Sequence, residues 1–237
     1  MPLAIQIAVA KTNKYASRDS GDTVEVAERP GGGLSAVVVD GQGSGAAAKS
    51  LSMLLTSKAV ALLKEGVRDG AVARAVHDSL FAFRNGKVSA ALDILSVDLK
   101  TGSVAITRNA ETPMTLCIHG EWQSSPATSG PIGLYHFTRP SVTHLTPEAG
   151  LVVILVTDGV PRAGESTGRE SFAIADYARE STELELSADD IARSVLAESV
   201  ARDQGRPRDD QTVTVLKLDE HSEHPLVRRL SVYVPLP

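Results

Sequence analysis

The chain has 237 residues, 42% of them hydrophobic and 22% charged, which is ordinary for a globular protein with a sizeable core. Its formal net charge of −5 argues against a surface that binds nucleic acid. The single cysteine, Cys117, excludes an internal disulfide and a cysteine-rich metal site, and favours a reducing, cytoplasmic setting. The longest strongly apolar run, LVVILV, is far shorter than the ~20 residues of a membrane-spanning helix, so we expect no membrane partner.

The first third of the chain predicts strands followed by two helices. IQIAVAK alternates like a strand, and GGGLSAVVVD is typical of a turn leading into a buried strand. A helical pattern then begins at a possible N-cap, Ser44, and can end at Gly66; Asp69 begins a second helix that Asn85 ends. Spacing predicts the buried faces of these helices to be Ala47, Leu51, Leu54, Leu55, Ala59, Leu62 and Leu63, then Val72, Ala75, Val76, Leu80 and Phe83.

The middle of the chain predicts a series of strands. VSAALDILSVDL and SVAITRNA are joined by a hairpin signal at Lys100-Thr101-Gly102, and MTLCIHGEWQ predicts a hairpin around His119-Gly120. HFTRPSVTHL and LVVILVTDG follow. Two helices come next, ESFAIADYARE and a longer one capped by Ser187, before a final strand, TVTVLKL.

This order of elements is too continuous in strands for a βαβ fold. It predicts an α+β fold in which helices cover antiparallel sheets. We expect one domain over residues 1–218. Residues 219–237 form a C-terminal extension, either an extra strand or a surface tail.

The stretch VVVDGQGSGAAAKS at 37–50 is similar to a nucleotide-binding P-loop. That motif requires glycine directly before the lysine, and this chain has Ala48 before Lys49. The comparison therefore weighs against a nucleotide hydrolase, and we expect Lys49 on the surface of a helix. Asp40, at the end of the apolar run, becomes the residue of interest.

Three aspartates lie where predicted strands meet loops: Asp40, Asp158 and Asp209, the last followed by Asp210. Each is an ordinary turn residue when taken alone, and their conjunction is what indicates a site. Carboxylates brought together repel one another, and a divalent cation removes that cost. Oxygen ligands favour Mg²⁺ or Mn²⁺ over zinc. Such ions can activate water against a phosphate, and Gly41 would let its own carbonyl approach a metal.

The same segments resemble a known family. VVVDGQGSG is similar to the D-G-x-G-x-G motif of the metal-dependent protein phosphatases, the protein phosphatase 2C superfamily, and in particular of its SpoIIE-like branch. LVVILVTDGV and RDDQTVTVLKL resemble the T-D-G and D-D-x-T motifs of that branch, and SGD at 20–22 resembles its early motif. The resemblance runs in the same order over about residues 5–218.

The resemblance implies a four-layer αββα sandwich of two antiparallel sheets with two Mn²⁺ or Mg²⁺ ions between them. Metal-activated water would hydrolyse phosphoserine or phosphothreonine without a phosphoenzyme. It implies these roles: Asp40 as the ligand shared by both ions, the Gly41 carbonyl as a ligand, Asp158 and Asp209 as the remaining ligands, Asp22 as an outer-shell or water-mediated group, and Asp210 beside the site.

The chain departs from the wider superfamily at two points. Gln42 stands where other members carry a histidine that can donate a proton, although SpoIIE-like members lack that histidine too. An N-terminal arginine for the phosphate is not obvious; Arg18 is a candidate, or else a solvated loop residue. The six histidines show no ligand spacing and are expected at the surface or in hairpins, while Cys117 and Trp122 are expected to pack.

Few residues precede the first motif, so we expect a phosphatase without a sensor module, similar to the stand-alone RsbX type. That similarity implies a phosphorylated protein substrate, a regulator or scaffold of a bacterial stress-response or anti-sigma network. It indicates no oligomeric state. The alternative is a catalytically inactive phosphatase-fold module that binds a protein. The complete set of aspartates favours the enzyme.

Overall fold

The computed structural model describes residues 3–99, 102–181, 186–221 and 228–234. Within these ranges the predicted order of elements is confirmed, apart from a strand at 22–28 that was not predicted. Of the predicted hairpin signal at 100–102, only Gly102 belongs to the described residues. The elements are β1 Leu3–Thr12, β2 Asp22–Glu28, β3 Gly33–Gly41, α1 Gly45–Lys64, α2 Asp69–Arg84, β4 Ala90–Asp98, β5 Ser103–Asn109, β6 Met114–Ile118, β7 Glu121–Ser125, β8 Ser141–Leu145, β9 Val152–Val156, α3 Ile174–Ser181, α4 Ala188–Arg202 and β10 Gln211–Glu220.

The strands form two five-stranded sheets. Sheet I has the order β2-β3-β4-β5-β8, and sheet II has the order β1-β10-β9-β6-β7. Neighbouring strands in both sheets pair antiparallel. Because side chains alternate along a strand, each sheet offers one face to the other sheet and one to helices.

Three apolar clusters hold the layers together. Val37, Leu92 and Ile94 of sheet I pack under α1 and α2. Leu95, one residue along from Ile94, belongs instead to the cluster between the two sheets, together with Leu155 of sheet II. A third cluster packs sheet II against α3 and α4. The result is the expected α+β fold in four layers, helices–sheet–sheet–helices.

The predicted buried faces of α1 and α2 are largely confirmed, with three errors. Leu51, Leu55 and Val76 are buried as expected, but Ala47 is exposed, Leu54 is 54% exposed and Phe83 is 64% exposed. Helix α1 is long and apolar enough to pass a composition test for a membrane span. It packs against β2 and β3 as a core helix, which explains its apolar character.

The predicted helix ends are also confirmed. Gly66 and Asn85 both have positive φ, the left-handed conformation that ends a helix. Ser187 accepts a hydrogen bond from the amide of Asp190 and so caps α4. Ser44 occupies the N-cap position of α1 without a side-chain hydrogen bond to the helix.

Two expectations about single residues are confirmed and one is wrong. Cys117 and Trp122 are buried, and they are paired across the β6–β7 hairpin. His77 was expected at the surface but is 1% exposed. Its Nδ1 accepts a hydrogen bond from the amide of Gly133, and its ring stacks on Phe81, so it holds the loop before β8 against α2.

In the predicted C-terminal extension, 219–237, the first two residues belong to a strand, and the remaining described residues do not. Strand β10 continues to Glu220, two residues past the predicted end of the domain. Residues 228–234 are exposed and belong to no helix or strand. Apart from His221, the rest of the extension lies outside the described residues.

A buried ion pair of sheet I is connected to sheet II through a threonine. Arg108 donates from Nε and Nη2 to the two carboxylate oxygens of Asp93, both at 3.0 Å. The same guanidinium donates to Thr112 Oγ1, and that hydroxyl donates to the Val156 carbonyl of sheet II at 3.0 Å. Burial raises the pKa of Asp93, while the charge of Arg108 opposes that shift.

Removing one partner of this pair should destabilise the protein more than removing both. Arg108→Met leaves the buried Asp93 carboxylate without its partner, which typically costs about 3–5 kcal/mol. The double variant Asp93→Leu/Arg108→Met leaves no buried charge and should lose less. Urea unfolding of the three proteins measures the difference. A double variant that is less stable than Arg108→Met would contradict this account.

Candidate metal centre

Two of the predicted site residues lie side by side at one end of sheet I. Asp22 is the first residue of β2, Asp40 is the penultimate residue of β3, and the strand register places them directly opposite each other. Like charges in this position repel. The pairing of β2 with β3 therefore brings together two motifs whose aspartates, Asp22 and Asp40, are 18 positions apart in the sequence.

Asp22 also connects the two sheets. Its Oδ2 accepts hydrogen bonds from the hydroxyls of Thr157, at 2.9 Å, and Thr212, at 2.6 Å, both from the region of sheet II. Its Oδ1 is buried and has no hydrogen-bond partner. Thr157 belongs to the T-D-G motif and Thr212 to the D-D-x-T motif. No role was predicted for these threonines from the sequence, and the structure shows that they orient Asp22.

The remaining aspartates come from loops of sheet II. Asp158 follows Thr157, and Asp158 and Asp209 line one cleft together with Asp40. Asp210 has a supporting position, since its oxygens accept from the amides of Lys14, at 2.9 Å, and Gly21, at 2.7 Å. The fold therefore brings Asp40, Asp158 and Asp209 to one cleft, with Asp22 and Asp210 buried next to it.

Two glycines in these motifs allow close packing of the backbone. A Cβ atom on Gly41 would lie 2.6 Å from the carbonyl oxygen of Ala48 in α1. A Cβ atom on Gly159 would lie 2.2 Å from the carbonyl oxygen of Asp210. The glycine after each aspartate therefore lets a neighbouring segment approach the strand end that carries the carboxylate.

The cleft has a volume of about 690 Å³. Its basic side chains are Lys14 and Arg162; Arg18 is exposed and does not line it. Lys49 was expected at the surface of a helix without a partner. Instead, its ammonium group donates to the Asp22 carbonyl at 3.3 Å and to the hydroxyl of Thr23 at 3.2 Å.

Burial and mutual repulsion raise the pKa values of the clustered carboxyl groups. The pKa of Asp40 is raised to about 8, first by burial and then by the charges of Asp22, Asp158, Asp209 and Asp210. Burial also raises the pKa of Asp22 to about 6, although its threonine hydrogen bonds oppose this. The pKa of Asp209 is raised by burial and by Asp158. This is a concentration of negative charge without enough positive charge to balance it.

These residues fit divalent cations that prefer oxygen ligands. The donors are carboxylates, Asp22 has a buried oxygen without a partner, and a cation would neutralise the charge that raises the pKa of Asp40. In the described ranges, no three Asp, Glu, His or Cys side chains already enclose one ion. Arg162 Nη1 lies 2.9 Å from Asp158 Oδ2 and occupies that carboxylate.

A buried residue that sequence reasoning missed holds the two loops of sheet II together. Asp203 accepts hydrogen bonds from the Gly164 amide and the Gln211 side chain, both at 2.9 Å, and from the Arg208 amide at 3.3 Å. These contacts tie the loop after β9 to the loop before β10. Its place at the end of α4 gave no signal of this in the sequence.

Comparison with known proteins identifies the family of this chain. The family model described as Stage II sporulation protein E (SpoIIE) matches residues 30–219. The chain belongs to this family. The family resemblance noted from the motifs is thereby confirmed, and the structural neighbours are phosphatases of the same 2C type. A search of the curated proteins found no match.

Several solved structures share the fold of this SpoIIE-family chain. The phosphatase domain of SpoIIE from Bacillus subtilis, with a fragment of its regulatory domain, matches with a TM-score of 0.78 and 21% identity, over 90% of this chain and 63% of that one. RsbX in complex with magnesium matches with a TM-score of 0.69 and 19% identity, over 91% and 96% of the two chains. The RsbU and RsbW domains of a Mycobacterium tuberculosis protein match with a TM-score of 0.75 and 18% identity, over 92% and 62%.

Replacing Asp40 by asparagine should stabilise the protein when no metal is present. The raised pKa of Asp40 means that its contribution to stability is lost as pH rises from its ordinary value of 3.8 towards about 8. In chelator, Asp40→Asn should therefore melt above the wild type by a margin that grows between about pH 5 and pH 8, to about 4 °C or more. Added Mn²⁺ should stabilise the wild type more than the variant. A margin that does not change with pH would contradict this explanation.

Removing the Thr212 hydroxyl should weaken metal binding. Thr212→Val deletes the hydrogen bond of 2.6 Å that orients Asp22, and outer-shell changes of this kind cost about tenfold or more in metal affinity. Thr214→Val is the matched control, because the Thr214 hydroxyl lies on the same strand and is buried without a partner. Calorimetric titration with Mn²⁺ compares the two variants. Equal losses in both would mean that packing in β10, not the Asp22 contact, sets the affinity.

Proposed function

We propose that this protein is a metal-dependent serine/threonine protein phosphatase. The main observation behind this proposal is the position of Asp40. It lines a cleft, and the negative charges of four other aspartates from distant parts of the chain raise its pKa. Membership of the SpoIIE family and the phosphatase 2C fold support the same activity. The substrate would be a phosphoserine or phosphothreonine residue of a protein.

Two Mn²⁺ or Mg²⁺ ions would be held by the carboxylates of Asp40, Asp158 and Asp209 and by the carbonyl of Gly41. When bound, such ions neutralise a phosphate and activate water for in-line attack. The hydroxyls of Thr157 and Thr212 would hold the Asp22 carboxylate in place beside Asp40. Magnesium is bound in the RsbX structure that this chain resembles.

A covalent mechanism has less support from the residues around the cleft. Those that line it, within the described chain, include no histidine and no cysteine. Its serines therefore have no histidine base beside them there. Gln42 lines the cleft and accepts a hydrogen bond from the Ser89 amide at 2.8 Å, but an amide cannot protonate a leaving group. Proton transfer to the leaving oxygen would then come from water.

The proposed substrate is a phosphorylated protein of a bacterial signalling network. SpoIIE, RsbX and RsbU domains are the structures that this chain resembles, and their shared fold supports a substrate of that class. With a volume of about 690 Å³, the cleft is large enough for a phosphorylated side chain. A regulator or scaffold of a stress-response or anti-sigma network is the candidate.

Activity should depend on the metal and on the clustered aspartates. With Mn²⁺ the protein should hydrolyse a phosphoserine peptide and para-nitrophenyl phosphate, and a chelator should abolish both reactions. Asp40→Asn and Asp158→Asn should each reduce kcat/KM by about a hundredfold or more. Asp176→Asn is the control, because this exposed aspartate of α3 pairs with Arg179 at the surface and does not line the cleft.

Each result has a clear meaning. Activity that survives chelation would contradict the metal-dependent mechanism. A protein that binds Mn²⁺ but hydrolyses neither substrate would instead favour the binding module that was the alternative. Full activity in both aspartate variants would place the active site elsewhere.

A further inference from the structure

Arg162 lines the cleft and pairs with one of the clustered aspartates. Its guanidinium contacts the carboxylate of Asp158, four residues earlier, with 2.9 Å between Nη1 and Oδ2. Both residues line the cleft, and the Arg162 side chain is 59% exposed. An exposed cation thus neutralises a carboxylate that we assign to the metal.

The backbone beneath this arginine is well fixed. The Arg162 amide donates to the Asp158 carbonyl at 3.3 Å, and the Arg162 carbonyl accepts from the Glu165 amide at 3.1 Å. Asp203 holds the next turn through the Gly164 amide. The side chain can therefore change its partner while its Cα atom stays at the edge of the cleft.

Other cations near the cluster are already committed. Arg108 is buried and makes two hydrogen bonds to Asp93 and one to Thr112. Lys11 and Lys49 both donate to the Asp22 carbonyl, at 3.0 Å and 3.3 Å. Among the described residues that line the cleft, Lys14 and Arg162 are the basic ones, and of these two Arg162 has the planar fork that can hold two phosphate oxygens.

Asp158 and an anion in the cleft would compete for the Arg162 guanidinium. A guanidinium that holds Asp158 Oδ2 competes with a cation for that carboxylate. Once a cation has bound Asp158, the attraction between Asp158 and Arg162 falls, and the guanidinium becomes available to an anion in the cleft. The anion that the proposed reaction brings there is a phosphate group.

We propose that Arg162 is the phosphate-binding arginine of this cleft and that it occupies Asp158 only until a cation binds. This rests on the proposed phosphatase function for the identity of the anion. Arg162 thereby opposes metal binding and favours phosphate binding. A residue with a purely structural role in the loop would not affect these two affinities in opposite directions.

The test is Arg162→Gln, which removes the charge and keeps a similar length. Mn²⁺ titration by calorimetry should show affinity increased about threefold or more, because the competing cation is gone. Inorganic phosphate should bind the Mn²⁺-loaded variant about tenfold or more weakly. With a phosphoserine peptide, KM should rise by a similar factor while kcat falls less. Arg162→Lys should restore part of the phosphate affinity, since it keeps the charge without the fork.

Arg169→Gln is the matched control, because Arg169 belongs to the same loop and does not line the cleft. The proposal is overturned if Arg162→Gln binds phosphate as Arg169→Gln does, or if its Mn²⁺ affinity falls. Both binding measurements work without turnover. If the wild type hydrolyses no substrate, the proposed function fails while the role of Arg162 is still decided.

Discussion

The rest of this structure depends on a set of carboxylates held at one end of the space between two sheets. Asp22 and Asp40 face each other across β2 and β3, and three further aspartates act on the same charge. Burial and repulsion raise the pKa of Asp40 to about 8, so the folded chain keeps a group there that is costly to ionise without a cation. The site therefore lowers the stability of the metal-free protein, and divalent cations are the natural compensation.

The sandwich explains why these residues are far apart in the sequence. Sheet I contributes Asp22 and Asp40, while the loops of sheet II contribute Asp158, Asp209 and Asp210. The contact between the sheets is made by polar groups at this end: the threonine hydroxyls on Asp22, and the chain from the Asp93–Arg108 pair to the Val156 carbonyl. The same hydrogen bonds that join the layers fix the geometry of the cleft.

Much of this could be predicted from the sequence, because strand periodicity and strand-end aspartates are local signals. The αββα architecture and the meeting of Asp40, Asp158 and Asp209 in one cleft agree with the motifs. The predicted helix faces were wrong at Ala47, Leu54 and Phe83, since spacing alone does not show where the neighbouring sheet ends.

The partners of individual side chains could not be predicted from the sequence, for a different reason. The contact of Lys49 with Asp22, the Asp203 clamp and the Asp158–Arg162 pair all depend on tertiary placement that no local pattern records. The most direct test of the central claim is anomalous scattering from a crystal soaked in Mn²⁺. We predict manganese peaks within coordination distance of Asp40, with Asp158 and Asp209 as further ligands and Arg162 turned away from Asp158. A crystal with no peak at Asp40, or with manganese bound only elsewhere, would contradict the account.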